Sequence, residues 1–596
     1  MTLVSMEQIP KKVSVQPVYY SRFKEFSKLL SRPDFVTKIT KNSPWVCFSN
    51  EFGVSDLSAA GGLGYLAGDW SILAGKLGIP FVGIGLYYEY KWKQRLDNQF
   101  LQSEEFIKAP EPEFYNFEKI SVRLPNYYSN GTETAISVYG KDLSGNLLLM
   151  LHEKGIRSLY EGHKQTEHRL YQSAVLGFIG IQALFKLEIG ISILHLNESS
   201  TVFAGIAWID ILLEQGLSLD NALRLVKEHT IFTNHTLSPA AESVWTMEQM
   251  NSYIFRNIKS SKLLIWLTDL ITAEGGKIRL SSLAMKISGH SNAVSKLHAL
   301  KANVSYKTKF ESVTNAIANR WIYPEVLHTY RELGLGDPTI DVLPANFRDK
   351  LKMLNIEHML EVKQHAKEDL CNYLLSERQD QYGRSVSIPE NATILLWARR
   401  FDSYKRPGLI FSDPTRLANM LEKYQMHMIL SGKAHQTDEA MKRLLQKILR
   451  IVDQNEILKK RVHFIVNYNW QLTRNLGGAD IILNTPVPGW EACGTSWEKA
   501  VANWIMLCST RDGGAADVFF TDKKYNVNPP FFEISGTTDK QSEQSLYKNI
   551  EQMAQIIRHP SQWKKAVIRQ LVAFLPIISG NRMMFEYLNM RFKKEK

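Results

Sequence analysis

Apolar positions along the chain gather in short β-rich runs, separated by stretches in which they return at helical spacing. The run "WVCFSNEF" (45–52) precedes a helical pattern over about 65–77, and "PFVGIGLYY" (80–88) follows it. "ISILHLN" (191–197) precedes a helix from Ser200 onwards and then "TIFTNHT" (230–236). The rhythm returns with "TILLWARR" (393–400), "HMILSG" (427–432), "RVHFIVNY" (461–468) and "DIILNTP" (480–486), each followed by a helix-like stretch. Strands that are apolar on both faces and alternate with helices belong in parallel sheets, so the pattern predicts an α/β protein with two such units. Between the units, the chain from about 326 to 388 is charged and helical and runs into the turn-rich "DQYGRSVSIPENA". The expected division is 1–325, a connecting segment 326–388, a second unit 389–570, and a C-terminal helix in 571–596 that packs back across both.

Length and composition agree with two large units of a soluble globular protein: 596 residues, 44% hydrophobic and 22% charged. A formal charge of +12 admits nucleic acid, an anionic membrane or small anionic substrates. Lysines and arginines are spread along the chain, and the dense terminal cluster "RFKKEK" reads as a frayed helix end, so neither nucleic acid nor membrane is expected. The N-terminal "MTLVSMEQIPKKVSVQ" lacks the apolar core of a signal peptide, and the longest apolar run, "SAVLGFIGIQALF", is too short to span a bilayer. Cys47, Cys371, Cys493 and Cys508 are widely spaced and form no C-x-x-C pair, which fits a cytoplasmic protein without zinc or disulfides.

Ligands of open parallel sheets lie beyond the carboxyl ends of the strands. "GGLGYLAGDW" (61–70) opens a helix with glycines, which let backbone approach a ligand while the helix amides attract an anion. Gly62, Gly64 and Ala67 also spell G-x-G-x-x-A, with Glu89 25 residues after Gly64, a dinucleotide signature weakened by the "GVSDLSAA" between it and its strand. In "WARRFDSYKRP", Arg399, Arg400, Lys405 and Arg406 crowd the end of one strand and repel one another unless anions arrive, phosphate being the obvious one. "ILSGKAHQTDEA" is no P-loop, because His427 stands at the first glycine and Ala434 at the magnesium-binding hydroxyl. His195, His235 and His298 stand alone, so no metal is predicted.

"EACGTSWEKAVANW" (491–504) carries Lys499 from a Gly-Thr-Ser turn into an apolar helix. A lysine shielded from water has a lowered pKa and can form an imine with an aldehyde cofactor such as pyridoxal phosphate, whose phosphate would meet Gly494, Thr495 and Ser496 at the helix start. A lysine in such a helix can equally snorkel to solvent.

Taken together, "FSNEFG", "GGLGYLAGDW", "HRLYQSAVLGFIGIQAL", "LHLNES", "TNHTLSPA", "AVSKLH", "TNAIANRW", "ARRFDSYKRP", "SGKAHQTDEAMKRLLQKI", "NYN" and "LNTPVPGWEACGTSWEKA" resemble, in order and spacing, the α-glucan phosphorylases (glycogen, starch and maltodextrin), in their short bacterial and archaeal branch. The resemblance implies a GT-B architecture, two Rossmann-like domains facing a cleft, with pyridoxal 5'-phosphate on Lys499. It implies reversible phosphorolysis of the terminal α-1,4-linked glucose of a glucan or maltodextrin by inorganic phosphate, giving glucose 1-phosphate with retention, the cofactor phosphate acting as acid and base. By motif position, Arg400, Lys405 and the Gly62 amide would hold substrate phosphate, with Gly61 beside them. Arg399, Thr495 and Ser496 would lie near the cofactor phosphate and Tyr468 near the cofactor. Glu491, Cys493 and Gly494 would meet sugar hydroxyls, and His235 the glucosyl ring. A homodimer is the family expectation, and the regulatory extensions of the larger animal enzymes are not recognised in this sequence, so allosteric control is not expected.

The lining departs from the family. Cys493 replaces a serine, Trp497 and Glu498 replace a small or amide residue followed by methionine, and Ser199–Ser200 replace Gly-His. Ala293 and Ala316 stand at glycines and Ser173 at an acidic position. An indole at 497 is expected to crowd the cofactor. Those changes keep open a catalytically impaired homologue that binds glucan or sugar phosphate, beside a GT-B glycosyltransferase that works without pyridoxal phosphate.

Overall fold

The computed structural model describes residues 39–54, 57, 59, 61–162, 166–235 and 242–592. The N-terminal stretch, half of "GVSDLSAA", the ends of "TIFTNHT" and "TNHTLSPA", and the last four residues of "RFKKEK" therefore lie outside the described residues.

Two sheets organise the rest. The first has nine strands in the spatial order Glu311–Ser312, His290–Ala293, Thr230–Asn234, Ile193–Asn197, Trp45–Phe48, Phe81–Leu86, Asn146–His152, Ser137–Leu143, Glu118–Ile120. Its first seven strands pair in parallel and the last two antiparallel. Trp45 sits opposite both Ile193 and Phe81, which brings segments distant in sequence into one register. The second sheet is parallel throughout, in the order Val462–Ile465, Met426–Ser431, Thr393–Ala398, Ile481–Asn484, Met506–Ser509, Phe532–Glu533. The mixed α/β architecture with parallel sheets is thus as the apolar pattern predicts. The central strands are buried end to end, which is why they read as unbroken apolar runs rather than as alternation.

Each sheet is covered on both faces. One face of the first sheet packs under the helices Glu167–Lys186 and Phe203–Glu214. Its other face packs under the helix Gly62–Leu77, termed the glycine helix, and under the C-terminal helix Gly580–Phe592. Tyr587 of that last helix meets Trp45 at 5.7 Å and Trp70 at 5.6 Å between ring centroids. The helix Pro560–Ile578 runs unbroken across residue 570 and packs on the second half through Phe574, so the chain changes sides only at Ser579. A hairpin of Tyr90–Leu96 and Gln102–Lys108 reaches from the first half to the second, where Gln94 Nε2 donates to Gly432 O at 3.0 Å and Gln102 Nε2 to Ala434 O at 2.9 Å. Lys433, the lysine of the rejected P-loop pattern, is spent on the same junction, over the Trp92 ring.

Candidate active site

The carboxyl ends of both sheets open on one cleft of about 1390 Å³. Glu51, Glu198, His235 and Arg399, each just beyond a strand, line it together with Gly61, Gly62, Tyr468, Glu491, Cys493, Gly494, Thr495, Ser496 and Lys499.

Two helices begin at this cleft. The glycine helix begins with Gly62 after Gly61, neither of which carries a side chain, and a Cβ on Gly62 would lie 3.5 Å from Thr495 Oγ1. Thr495 starts the second, Thr495–Ala502, termed the lysine helix, after Gly494 turns the chain with φ +84°. The first-turn amides of two helices, one from each half, therefore meet at one spot, which favours an anion there. Gly64 and Ala67 lie inside the glycine helix and are buried; Gly64 allows the helix to sit against Glu51, whose carboxylate would come within 2.6 Å of an added Cβ. Neither residue forms the turn that a dinucleotide fingerprint requires, which removes the G-x-G-x-x-A reading.

Lys499 stands one turn beyond Thr495 on the same face and is 7% exposed. Its Nζ lies 3.7 Å from the centroid of the Trp321 ring and 4.6 Å from that of Tyr65. Burial pushes its pKa down to about 7, against the partial pull of Asp69. That carboxylate is already taken by Arg320 Nε at 2.6 Å and Trp321 Nε1 at 2.8 Å. Among the described residues Lys499 is thus held by aromatic faces and not by an ion pair, which makes the amine available as a nucleophile near neutral pH. Snorkelling, the alternative reading, does not occur.

Trp497 does not crowd this pocket. The helical period turns it to the opposite face, where it is fully buried against Phe574 at 4.8 Å and donates Nε1 to Cys493 O at 3.2 Å. Glu498 is also fully buried; its Oε1 accepts from Cys493 Sγ at 3.2 Å, while Oε2 has no hydrogen-bond partner among the described residues. Burial raises its pKa to about 7, with the Cys493 hydrogen bond opposing. The Cys493 thiol is raised well above its ordinary value by the same burial and by Glu498.

Of the four cations after the strand Thr393–Ala398, three line the cleft and one leaves it. Arg406 turns away to Thr485 O at 2.9 Å and Asp539 at 2.9 Å, so its expected share in the cationic cluster is withdrawn. Arg399 and Lys405 are buried and share Glu491, at 2.5 and 2.8 Å. Burial alone would raise the Glu491 pKa, yet Lys405 and Arg399 hold it down at about 2. Lys405 falls to about 8 through burial and repulsion from Arg399. The charge crowding that the sequence suggested is therefore met first by an internal carboxylate. Arg400 is half-exposed in the cleft, with Asp402 at 3.3 Å as its ion-pair partner among the described residues.

His235 completes the opposite wall. Its N–H donates to Glu198 Oε2 at 3.1 Å and its Nε2 to Asn197 Oδ1 at 2.5 Å. Burial and the neighbouring His298 push its pKa down to about 3, so the ring is neutral throughout the working pH range. The residues that the sequence singled out come together on this cleft from four strand ends: Gly61, Gly62, His235, Arg399, Arg400, Lys405, Tyr468, Glu491, Cys493, Gly494, Thr495, Ser496 and Lys499. Sequence reasoning missed the Tyr65–Trp321 walls and the Asp69–Arg320 pair, although "GGLGYLAGDW" and "NRW" contain all four; their convergence depends on contacts between distant segments.

These residues fit pyridoxal phosphate. The amine at 499 is buried and has no ion pair among the described residues, aromatic side chains flank it, and two helix starts with the Thr495 and Ser496 hydroxyls provide for a phosphate. Among the described residues no cluster of three or more metal-ligating side chains occurs, and no helix is long and apolar enough to cross a membrane.

Comparison with known proteins agrees with the geometry. The carbohydrate phosphorylase model matches residues 184–591. The chain is 27% identical to a maltodextrin phosphorylase of Thermococcus litoralis, over 92% of this chain and 70% of that protein. It is 27% identical to a glycogen phosphorylase of Mycobacterium tuberculosis, over 91% of this chain and 70% of that one. With a glycogen phosphorylase of Aquifex aeolicus the identity is 24%, over 93% of this chain and 87% of the relative. The chain belongs to the carbohydrate phosphorylase family.

Proposed function

We propose that the protein is an α-glucan phosphorylase that uses inorganic phosphate to remove the terminal α-1,4-linked glucose of a glucan or maltodextrin as glucose 1-phosphate, reversibly and with retention. The observation that carries this reading is the buried, unpaired Lys499 on a helix whose start meets the start of the glycine helix, opposite the cations of 399–405. The names of the relatives support the same substrate class.

In this reading Lys499 attaches pyridoxal phosphate, and Thr495, Ser496 and the first-turn amides hold its phosphate, with Arg399 nearby and Tyr468 along the cofactor. When bound, the cofactor supplies a phosphate group able to give a proton to, and take one from, the substrate phosphate. Arg400, Lys405 and the amide of Gly62, beside Gly61, hold inorganic phosphate against the sugar, and a dry cleft strengthens each of these charges. Glu491, Cys493 and Gly494 meet sugar hydroxyls. His235, neutral and fixed by Asn197 and Glu198, places its carbonyl against the glucosyl ring, where positive charge grows.

The two sheets correspond in this proposal to the two domains of a GT-B fold, 1–325 and 389–570, with 326–388 connecting them and 571–596 returning across both. A cytoplasmic homodimer completes the proposal. Trp497, turned away from the cleft, weighs against the impaired homologue.

The test is the near-ultraviolet and visible spectrum before and after borohydride, with mass spectrometry of the reduced protein, followed by glucose 1-phosphate formation from maltodextrin and phosphate. A pyridoxyl group on Lys499 and phosphate-dependent product are expected. An adduct without turnover would leave the impaired homologue; neither adduct nor turnover on added cofactor would end the proposal.

A further inference from the structure

Among the exposed large apolar side chains of the described residues, three, Leu300, Val304 and Trp490, line this same cleft. Trp490 is 58% exposed, whereas its neighbour Glu491 points inward to Lys405 and Arg399. The indole therefore stands at the mouth of the cleft, one residue from the charged cluster.

Its mounting is rigid. The Trp490 N–H donates to Val487 O at 3.1 Å and to Asp512 Oδ2 at 3.0 Å, and the Glu491 N–H donates to the same carboxylate oxygen at 2.8 Å. Gly489, with φ +91°, gives its carbonyl to Lys301 Nζ. Lys301 belongs to the helix Lys296–Tyr306, which buries His298, Ala299 and Ala302. Its other face, Leu297, Leu300, Lys301, Val304 and Ser305, recurs at helical spacing along the cleft. Ser295, the N-cap of that helix, donates to Ala492 O at 2.6 Å, so helix and loop form one clasp between the two halves.

We infer that Trp490, with Leu300 and Val304, is a stacking platform for the glucan chain beyond its reacting glucose, and that it sets a preference for longer chains. The inference rests on the proposed phosphorolysis. A pyranose presents an apolar C–H face and a rim of hydroxyls, which matches an exposed indole beside aliphatic side chains with Ser305 and Lys301 among them. The cleft, at about 1390 Å³, exceeds the roughly 300–1,000 Å³ of a site for one small molecule, which leaves room for further sugar units. The apolar face is continuous with the reacting centre and lies inside a concavity, which favours a chain threading out of the site over a protein partner docked on a flat patch. A platform held by backbone hydrogen bonds loses little freedom on binding, so its contribution is not consumed in ordering.

The test compares wild type, Trp490→Ala and Trp490→Phe, each loaded with cofactor, by calorimetric titration with maltotriose and maltoheptaose and by steady-state phosphorolysis of both. Because the side chain is exposed, truncation leaves the fold intact. Trp490→Ala should weaken maltoheptaose about tenfold, the fold-change of about 1.4 kcal/mol, and raise its KM in parallel. The penalty should be smaller for maltotriose, the KM for phosphate should hold, and Trp490→Phe should recover most of the loss. Equal maltoheptaose affinity in wild type and Trp490→Ala would overturn the platform while leaving phosphorolysis standing. So would a variant that dissociates into monomers in light scattering with its glucan affinity unchanged, which would make the rim a subunit interface. A wild-type protein that neither binds these glucans nor acts on them would overturn the functional reading and the platform together.

Discussion

Arg399 and Lys405 on one side of the cleft, and Lys499 on the other, are all buried cations, yet the fold treats them in opposite ways. The first two share Glu491, whereas Lys499 meets, among the described residues, the faces of Trp321 and Tyr65 with no ion pair, and loses much of its basicity. Compensated charges give a fixed electrostatic surface, suited to holding an anion in place. An uncompensated amine is a chemical group held in readiness, because its neutral form is the one that attacks. The contrast also explains how one cleft can hold several cations at once: an internal carboxylate neutralises part of the charge, and Arg400 stays half-exposed to solvent beside Asp402.

Removing the reactive member should have the largest effect. Lys499→Ala is expected to abolish covalent cofactor attachment and to lower glucose 1-phosphate formation by about 10³-fold or more, measured by intact mass after borohydride and by product assay. Activity close to wild type would sink the assigned role of this lysine.

Next comes the compensated side. Glu491→Gln leaves Arg399 and Lys405 buried without their carboxylate and should cost about 3 kcal/mol of stability. Inorganic phosphate should restore part of it, so that the melting temperature of the variant rises more with added phosphate than that of the wild type. A variant that melts like wild type would show that the pair is dispensable.

Glu498 sharpens the comparison through pH. Its folded pKa of about 7 lies above the ordinary 4.5, so the folded state binds more protons between those values and stability falls as pH rises through that window. Lys499, lowered from 10.5 to about 7, acts in the reverse sense: stability rises with pH from about 7 upwards. Glu498→Gln should therefore be more stable than wild type by about 2 kcal/mol near pH 8.5, with the gap closing towards about pH 5, in thermal melts across that range. A gap that does not change with pH would mean that Glu498 is not the titrating group.

The smallest structural effect belongs to Arg400→Ala. Its one exposed ion pair should contribute at most about 0.5 kcal/mol to stability, while the KM for phosphate should rise about tenfold. Normal phosphate dependence would remove Arg400 from the phosphate site.

Much of this protein was legible in one dimension. Buried parallel strands are apolar on both faces, so "TILLWA" and "HMILS" announce themselves as strands, and residues just beyond such runs line the cleft. The Gly-Thr-Ser turn marked the start of the lysine helix because Gly494 adopts the left-handed conformation that glycine tolerates. Side-chain direction and charge pairing were another matter. Trp497 was expected in the pocket and lies behind it, because a short helix has a period but no preferred face until Phe574 packs against one. The four cations of 399–406 looked alike, yet Arg406 found Asp539, while Arg399 found Glu491, a partner 92 residues away. Local sequence determined the strands, turns and helix starts, since these follow from periodicity and backbone preference over a few residues. Only the tertiary structure decided which buried charge was paired and which was left reactive, because solvation and Coulomb energy depend on neighbours that the chain supplies from far away.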